Sequence, residues 1–280
     1  MDNLVTSLSK QNNAIKKIQQ SLRKINKHES DATKRISILN TEISIVDRNL
    51  NKLSLDSSMK AEIENSISEA KAEIPHLEQI AKKEFGNNLN NILQENGFVL
   101  EGNYPKLRTS VYTIIIDMLR NKAELYYGPE IEKIETCKPI ADDVASKLLN
   151  HYNELNQNEF SNETFLRNIY DAYSMCLLIN NKKIGDKVPI QDILYSYAFI
   201  IQNKKFKQNP LKKYYHEYNR VSLSYDLHKL KERKIDNMEL TLVTAKRAET
   251  NNKLNFLWLP SSNEKGMGQS ISSIKFSKVE

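Results

Sequence analysis

Between Ile200 and Ile235 the chain carries Lys204, Lys205, Lys207, Lys212, Lys213, Arg220, Lys229, Lys231, Arg233 and Lys234, against only Glu217, Asp226 and Glu232. That local surplus of seven exceeds the formal net charge of +6 for all 280 residues, so the rest of the chain is close to neutral. Tyr214, Tyr215 and Tyr218 are interleaved with these cations. Ammonium groups neutralise phosphates and release counterions, and phenol rings stack on unpaired bases, so this mixture is what a nucleic-acid surface requires. Lys204, Lys205, Lys207, Lys212, Lys213, Tyr214 and Arg220 are the candidate contacts. The competing reading is an amphipathic helix in which Leu211, Tyr215, Tyr218 and Tyr225 form a core face and the lysines are only its solvated side.

Other reactive side chains fall in weaker patterns. A metal-dependent nuclease needs carboxylates converging on strands, and Asp117 and Glu124 flank one expected hairpin. The acidic-x-lysine element that would sit beside them is missing, because Leu125 and Tyr126 follow Glu124. Glu232-Arg233-Lys234 has that spacing but falls in an expected helix. His151, His216 and His228 lack paired ligand spacing, and His216-Glu217 are neighbours that diverge on a helix. No P-loop, no G-x-G-x-x-G after a strand and no G-x-S-x-G occurs. Gly266-x-Gly268 reads as a hairpin turn, Trp258 as a core residue of a late strand, and Cys137 and Cys176 as buried thiols. These patterns point to a protein with no catalytic residues, no metal site and no cofactor.

The element that organises the chain is its first fifty-odd residues. Leu8, Ile15, Leu22, Glu29, Ile36, Ile43 and Leu50 occupy a positions, and Leu4, Gln11, Ile18, Ile25, Ala32, Leu39, Val46 and Leu53 occupy d positions. Spacings alternate between three and four, and no glycine or proline intervenes from Met1 to Ile74. A sustained seam of this kind is the mark of a coiled coil. The phase passes unchanged through Lys27-His28-Glu29-Ser30-Asp31, so the favoured reading is one helix of roughly 75–80 Å, with a turn there and a folded-back hairpin as the alternative. Leu8, Ile15, Ile18, Leu22, Ile25, Ile36, Leu39, Ile43, Val46 and Leu50 are the candidate oligomerisation residues.

Asp56-Ser57-Ser58 reads as a turn and N-cap for a second helix, with Pro75 kinking it or opening a third segment that runs to about Glu95. Unequal antiparallel arms leave part of the first seam open, which calls for a second copy or a helical partner. Composition changes at Asn96-Gly97. Phe98–Leu100, Val111–Leu119 and Glu124–Tyr127 read as a three-stranded antiparallel meander, with Tyr112, Ile114, Ile116 and Met118 facing the core. Helices are expected near Pro139, after Ser161, from Pro189 to about Gln202, and from Leu211 to about Lys234. Met238–Lys246, Leu254–Leu259 and Ile271–Phe276 then read as strands that rejoin the first sheet. The fold class is therefore α+β: a helical coiled-coil arm over residues 1–95, then a mixed domain over 96–280 with antiparallel strands at its start and end.

Composition supports a folded, helix-rich chain, with 39% hydrophobic and 27% charged residues and only seven glycines and seven prolines. No window approaches the ~18 apolar residues that span a bilayer. The start MDNLVTSLSK has no basic-then-apolar signal pattern, and two distant cysteines suit a reducing compartment, so the expectation is a cytoplasmic protein without membrane contact. Heavy use of Asn, Lys and Ile resembles an AT-rich bacterial coding bias. Together these features lead to a non-enzymatic coiled-coil assembly subunit of a bacterial DNA-handling complex, of the antiviral-defence or mobile-element kind. It would touch DNA, RNA or a partner protein through the basic-aromatic segment. The alternatives are a nuclease using Asp117 and Glu124, and a purely structural coiled-coil spacer.

Overall fold

The computed structural model describes residues 2–53, 55–118, 120–157, 159–261 and 267–279. Gly266, Leu119 and the side chain of Leu4, all named above, lie outside the described residues. The chain is mixed α+β and forms two compact units.

The first unit is built on three helices, α1 (Asp2–Ile25), α2 (Ala32–Leu50) and α3 (Ser57–Glu95), together with residues 116–123 and 137–144. The single long helix does not form, because the chain turns between Asn26 and Asp31. Capping explains the break. Asp31 accepts from the Lys34 amide at 2.9 Å, which opens α2, while Arg35 Nη1 reaches back to the carbonyls of Ile25 (2.6 Å) and Lys27 (3.0 Å). Orphan groups on both sides of the turn are thereby satisfied. The guanidinium also forms a two-point bond with Glu73 of α3, at 3.0 and 2.8 Å, so one side chain ties three helices together.

The heptad residues meet within this chain. Ile18, Ile25, Leu39, Ile43, Val46 and Leu50 share one buried cluster with Ile67 and Ala70 of α3, and Leu22 packs against it. Ile36 joins Ala32 and Ala81 in a second cluster. Folding back thus satisfies the stripe that a partner helix would otherwise cover. Asp56 caps α3 by accepting from Met59 at 2.8 Å, as the Asp-Ser-Ser signal predicts, and Pro75 sits inside a helix that runs on to Glu95. Residues 116–123 belong to the same unit, where Asn121 Nδ2 donates to Ser37 Oγ at 3.1 Å.

The meander is longer than expected. β1 (Glu101–Asn103), β2 (Lys106–Thr109), β3 (Tyr112–Asp117), β4 (Lys122–Tyr127) and β5 (Glu132–Cys137) form one sheet in sequential order. Phe98–Leu100 is not a strand; pairing begins at Glu101, opposite Arg108. Tyr112, Ile114, Ile116 and Met118 are buried as the period-two pattern requires, and Val111 and Thr113 are buried too, so this strand is covered on both faces.

The second unit takes in α4 (Ala141–Leu155) from Ala145 onward and α5 (Asn162–Ile179), followed by β6 (Val188–Pro189), α6 (Ile190–Ile200), α7 (Lys204–Gln208) and α8 (Arg220–Lys229). The late strands β7 (Lys234–Ile235), β8 (Met238–Thr244), β9 (Leu257–Pro260) and β10 (Gly268–Lys278) do not rejoin the first sheet. They build a second one, ordered β6-β10-β8-β7, with β9 pairing the other part of β10. The eleven-residue β10 reaches two partners in succession along one edge, a connection that local sequence does not reveal. Ile193, Leu223, Leu227, Leu240, Ile274 and Phe276 belong to the core between helices and this sheet. Trp258 is buried against Tyr127, with ring centroids 5.4 Å apart in a T-shaped pair. A Cβ on Gly128, which has φ +73°, would come within 2.6 Å of its indole, and one on Gly268 within 2.3 Å of the Leu259 carbonyl. Gly268 is thus a strand residue chosen for close approach rather than a turn glycine.

Candidate nucleic-acid interface

The expected helix over Leu211–Lys234 is broken into pieces. After α6 come the five-residue α7, a single 3-10 turn at Lys212–Tyr214, extended backbone from Tyr215, and then α8. Asn203 opens α7 by accepting from Phe206 at 2.9 Å, and Asn219 opens α8 by accepting from Ser222 at 3.0 Å. Asn209-Pro210 ends the short helix, since proline brings no N–H to continue it.

This excursion is fixed at its base. Gln202 is buried, and its Nε2 donates to the carbonyls of Ala198 (2.6 Å) and His216 (2.9 Å) while its Oε1 accepts from the His216 amide at 2.8 Å. Asn203 Nδ2 adds a bond to the Tyr214 carbonyl at 3.2 Å. Phe206 and Tyr215 pack across the loop, with ring centroids 5.6 Å apart.

Lys204, Lys205, Lys207, Lys212 and Lys213 are all exposed on that loop. Among the described residues none of the five pairs with a carboxylate. Lys207 Nζ donates to the Ile200 carbonyl at 2.8 Å, and Lys213 Nζ lies 4.8 Å from the centre of the half-buried Tyr214 ring. Arg220 is placed differently. Its Nε faces Glu132, its Nη1 donates to Gln191 at 3.2 Å and its Nη2 to the Phe256 carbonyl at 2.6 Å. The Arg220 and Glu132 side chains are only 13% and 14% exposed, so this guanidinium clamps four segments of its own unit.

Where the loop returns to α8 lies a cavity of about 470 Å³ whose lining includes His216–Asn219, Tyr197 and Asp226. Tyr218 OH donates to Asp226 Oδ2 at 2.7 Å and its ring packs on Tyr197 at 4.8 Å. Burial pushes the Asp226 carboxyl above its ordinary range, against the pull of Tyr218 and Lys229. Burial also lowers the Lys229 ammonium, which sits 4.5 Å from the Tyr225 ring centre. The Tyr218–Asp226 bond ties the end of the loop to α8. Gln202 and this network are the supports of the candidate loop that sequence reading missed, and only the capping asparagines carried a local signal.

The remaining candidates have local partners. Asp117 accepts from the Arg120 amide at 3.0 Å, while Glu124 takes Lys133 and the Tyr126 hydroxyl. Among the described residues no three His, Cys, Asp or Glu side chains converge as metal ligands. His151 bonds to the Tyr112 hydroxyl at 3.0 Å, and burial lowers its pKa. Cys176 is buried beside Ser196, whereas Cys137 is only half-buried, contrary to expectation. Among the described residues no helix is long and apolar enough to cross a membrane. Over the N-terminal part of α1, Leu8 and Ile15 are 57% and 39% exposed beside a buried Ala14, unlike the heptad residues that follow. No family model matches this chain, nor does any curated protein or solved structure.

Proposed function

We propose that this chain is a non-enzymatic assembly subunit that contacts nucleic acid through the lysine loop between Asn203 and Glu217, as part of a multi-protein DNA-handling complex. One observation supports this reading above the others: five exposed ammonium groups lacking carboxylate partners stand on a loop pinned by the buried Gln202. A merely solvated helix face would not need that anchoring, because lysines hydrate equally well on mobile backbone. Phosphates recruited to such a loop release counterions at little ordering cost.

Self-association is the second part of the proposal. The open end of the α1 seam at Leu8 and Ile15 supports it, as an apolar stripe continuing past the intramolecular core favours a second copy of the helix. Replacing Lys204, Lys205, Lys207, Lys212 and Lys213 together by Gln tests the first part. Retention of labelled DNA in a gel-shift assay should disappear, while a purely structural spacer would show no retention before or after the change.

A further inference from the structure

We infer that the strand bound here is single, and that Tyr195 and Phe199 on α6 are its stacking platform; this rests on reading the lysine loop as a phosphate contact. The two aromatics are 64% and 52% exposed and are the only exposed positions on α6. Every residue between them is buried. Four positions apart, they stand on one helix face about 6 Å apart along the axis. Neither ring packs on another ring among the described residues, so their size and exposure are not explained by the core.

Cations frame the pair. Lys182, Lys183 and Lys187 lie on the exposed loop before α6, where Lys182 Nζ is held by the Lys187 carbonyl at 3.0 Å. At the other end, Lys207 Nζ is held by the carbonyl of Ile200, the residue after Phe199. Asp192, one turn before Tyr195, is the carboxylate on α6, and Asp186 in the preceding loop is engaged by the Lys183 amide at 2.8 Å. Lys182, Lys183, Lys187 and Lys207 thus outnumber the acids four to two at the ends of a helix of about 16 Å. Charge complementarity selects a polyanion for this face. In a duplex the base faces are already stacked on each other, and only unpaired bases offer them to a ring. The competing occupant is a second copy of the chain, drawn by Leu178 and Ile179, which are exposed at the end of the neighbouring α5.

Fluorescence anisotropy with the full-length protein decides this, using labelled oligo(dT) of about 12 nucleotides and a duplex of equal charge. The expected result is tighter binding of oligo(dT). In Y195A/F199A its affinity should fall about tenfold or more while duplex affinity and salt dependence stay unchanged. The aromatic swap Y195F/F199Y should restore it. An unaltered circular-dichroism melt shows that the solvent-facing changes leave the fold intact. Equal affinity for both strands, or no loss in Y195A/F199A, overturns the inference and leaves the lysine loop standing. Binding of neither probe at low salt removes both. A variant whose only change is a lower mass by light scattering assigns the face to a second copy and overturns it as well.

Discussion

The Gln202 side chain and the His216 main chain exchange two hydrogen bonds, at 2.9 and 2.8 Å, in the manner of two paired strands. A side-chain amide presents the same donor and acceptor as a peptide group. The thirteen residues between Gln202 and His216 therefore form a loop with its base closed.

Gln202→Ala should leave the His216 N–H and C=O without those partners and cost about 1–3 kcal/mol in urea denaturation. Amide exchange at His216 should quicken, and DNA affinity should fall although no cation has been removed. Unchanged exchange would show that the loop is held by other means.

Arg220 is predicted to be a stability residue. With the guanidinium and Glu132 both nearly buried, Arg220→Ala should cost about 3–5 kcal/mol, since Glu132 loses its countercharge. Arg220→Lys should recover only part of this, as an ammonium lacks the fork that reaches Glu132, Gln191 and Phe256 together. The salt slope of DNA binding by the paired variant Arg220→Gln/Glu132→Gln, which removes the cation and its countercharge together, should equal that of the parent. A shallower slope would mark Arg220 as a phosphate contact.

Much of this organisation is legible in the sequence, but not the way cations are used. The period-two alternation of Tyr112 to Met118 identified a core strand, whereas β1 and β2 are only three and four residues long, and β5, as long as β3, has charged residues at three of its six positions and one large apolar residue. The heptad phase identified which residues of the arm are apolar, and burial of Ile18, Leu39 and Val46 follows from it. It left the turn at 26–31 open as the alternative reading; the Asp31 cap and the bond from Arg35 to Glu73, thirty-eight residues away, decide it. Lysine count likewise marked the basic loop, while the broken helix around it depends on Gln202, which has no local signature. In sequence, Arg220 is simply one more cation in the run.

Asp226 should make stability depend on pH with a particular sign. Burial raises its pKa above the ordinary 3.8, so the folded state holds the proton more tightly than the unfolded state. The resulting stabilisation is complete below about 4 and is lost as pH rises through the raised value. Asp226→Asn, which still accepts from Tyr218, should therefore gain stability relative to the parent as pH rises from 4 to neutrality. A difference that stays flat across that window would show that the carboxyl titrates normally.

The arm should respond in the opposite direction. Its hydrogen bonds with Arg35 hold the Glu73 carboxyl below its ordinary range. Burial works to raise Glu42, but Lys24 and Ser21, both at 2.7 Å, more than offset this and leave it lowered. Stability from these groups is present above the unfolded value of 4.5 and is lost as pH falls through the lowered folded values. Glu73→Gln should reduce the fall in melting temperature as pH drops below 4.5, and an unchanged fall would show that Glu73 is not its source.

At the open end of the seam, Leu8→Glu with Ile15→Glu should lower the mass measured by light scattering without changing the melting temperature. Ile25→Glu should instead unfold the arm, because Ile25 is inside its core. Equal masses for the parent and the Leu8/Ile15 variant would place self-association elsewhere.

The salt dependence of DNA binding tests the central claim most directly. Labelled DNA would be titrated by anisotropy at several salt concentrations with the parent protein and the variant carrying Gln at Lys204, Lys205, Lys207, Lys212 and Lys213. If all five lysines reach phosphates, the log–log slope of the parent should be steeper by about 3.5–4.5 than that of the variant, at about 0.7–0.9 per contact. Equal slopes, or no binding by the parent at low salt, would contradict it and leave the loop an anchored but solvated surface.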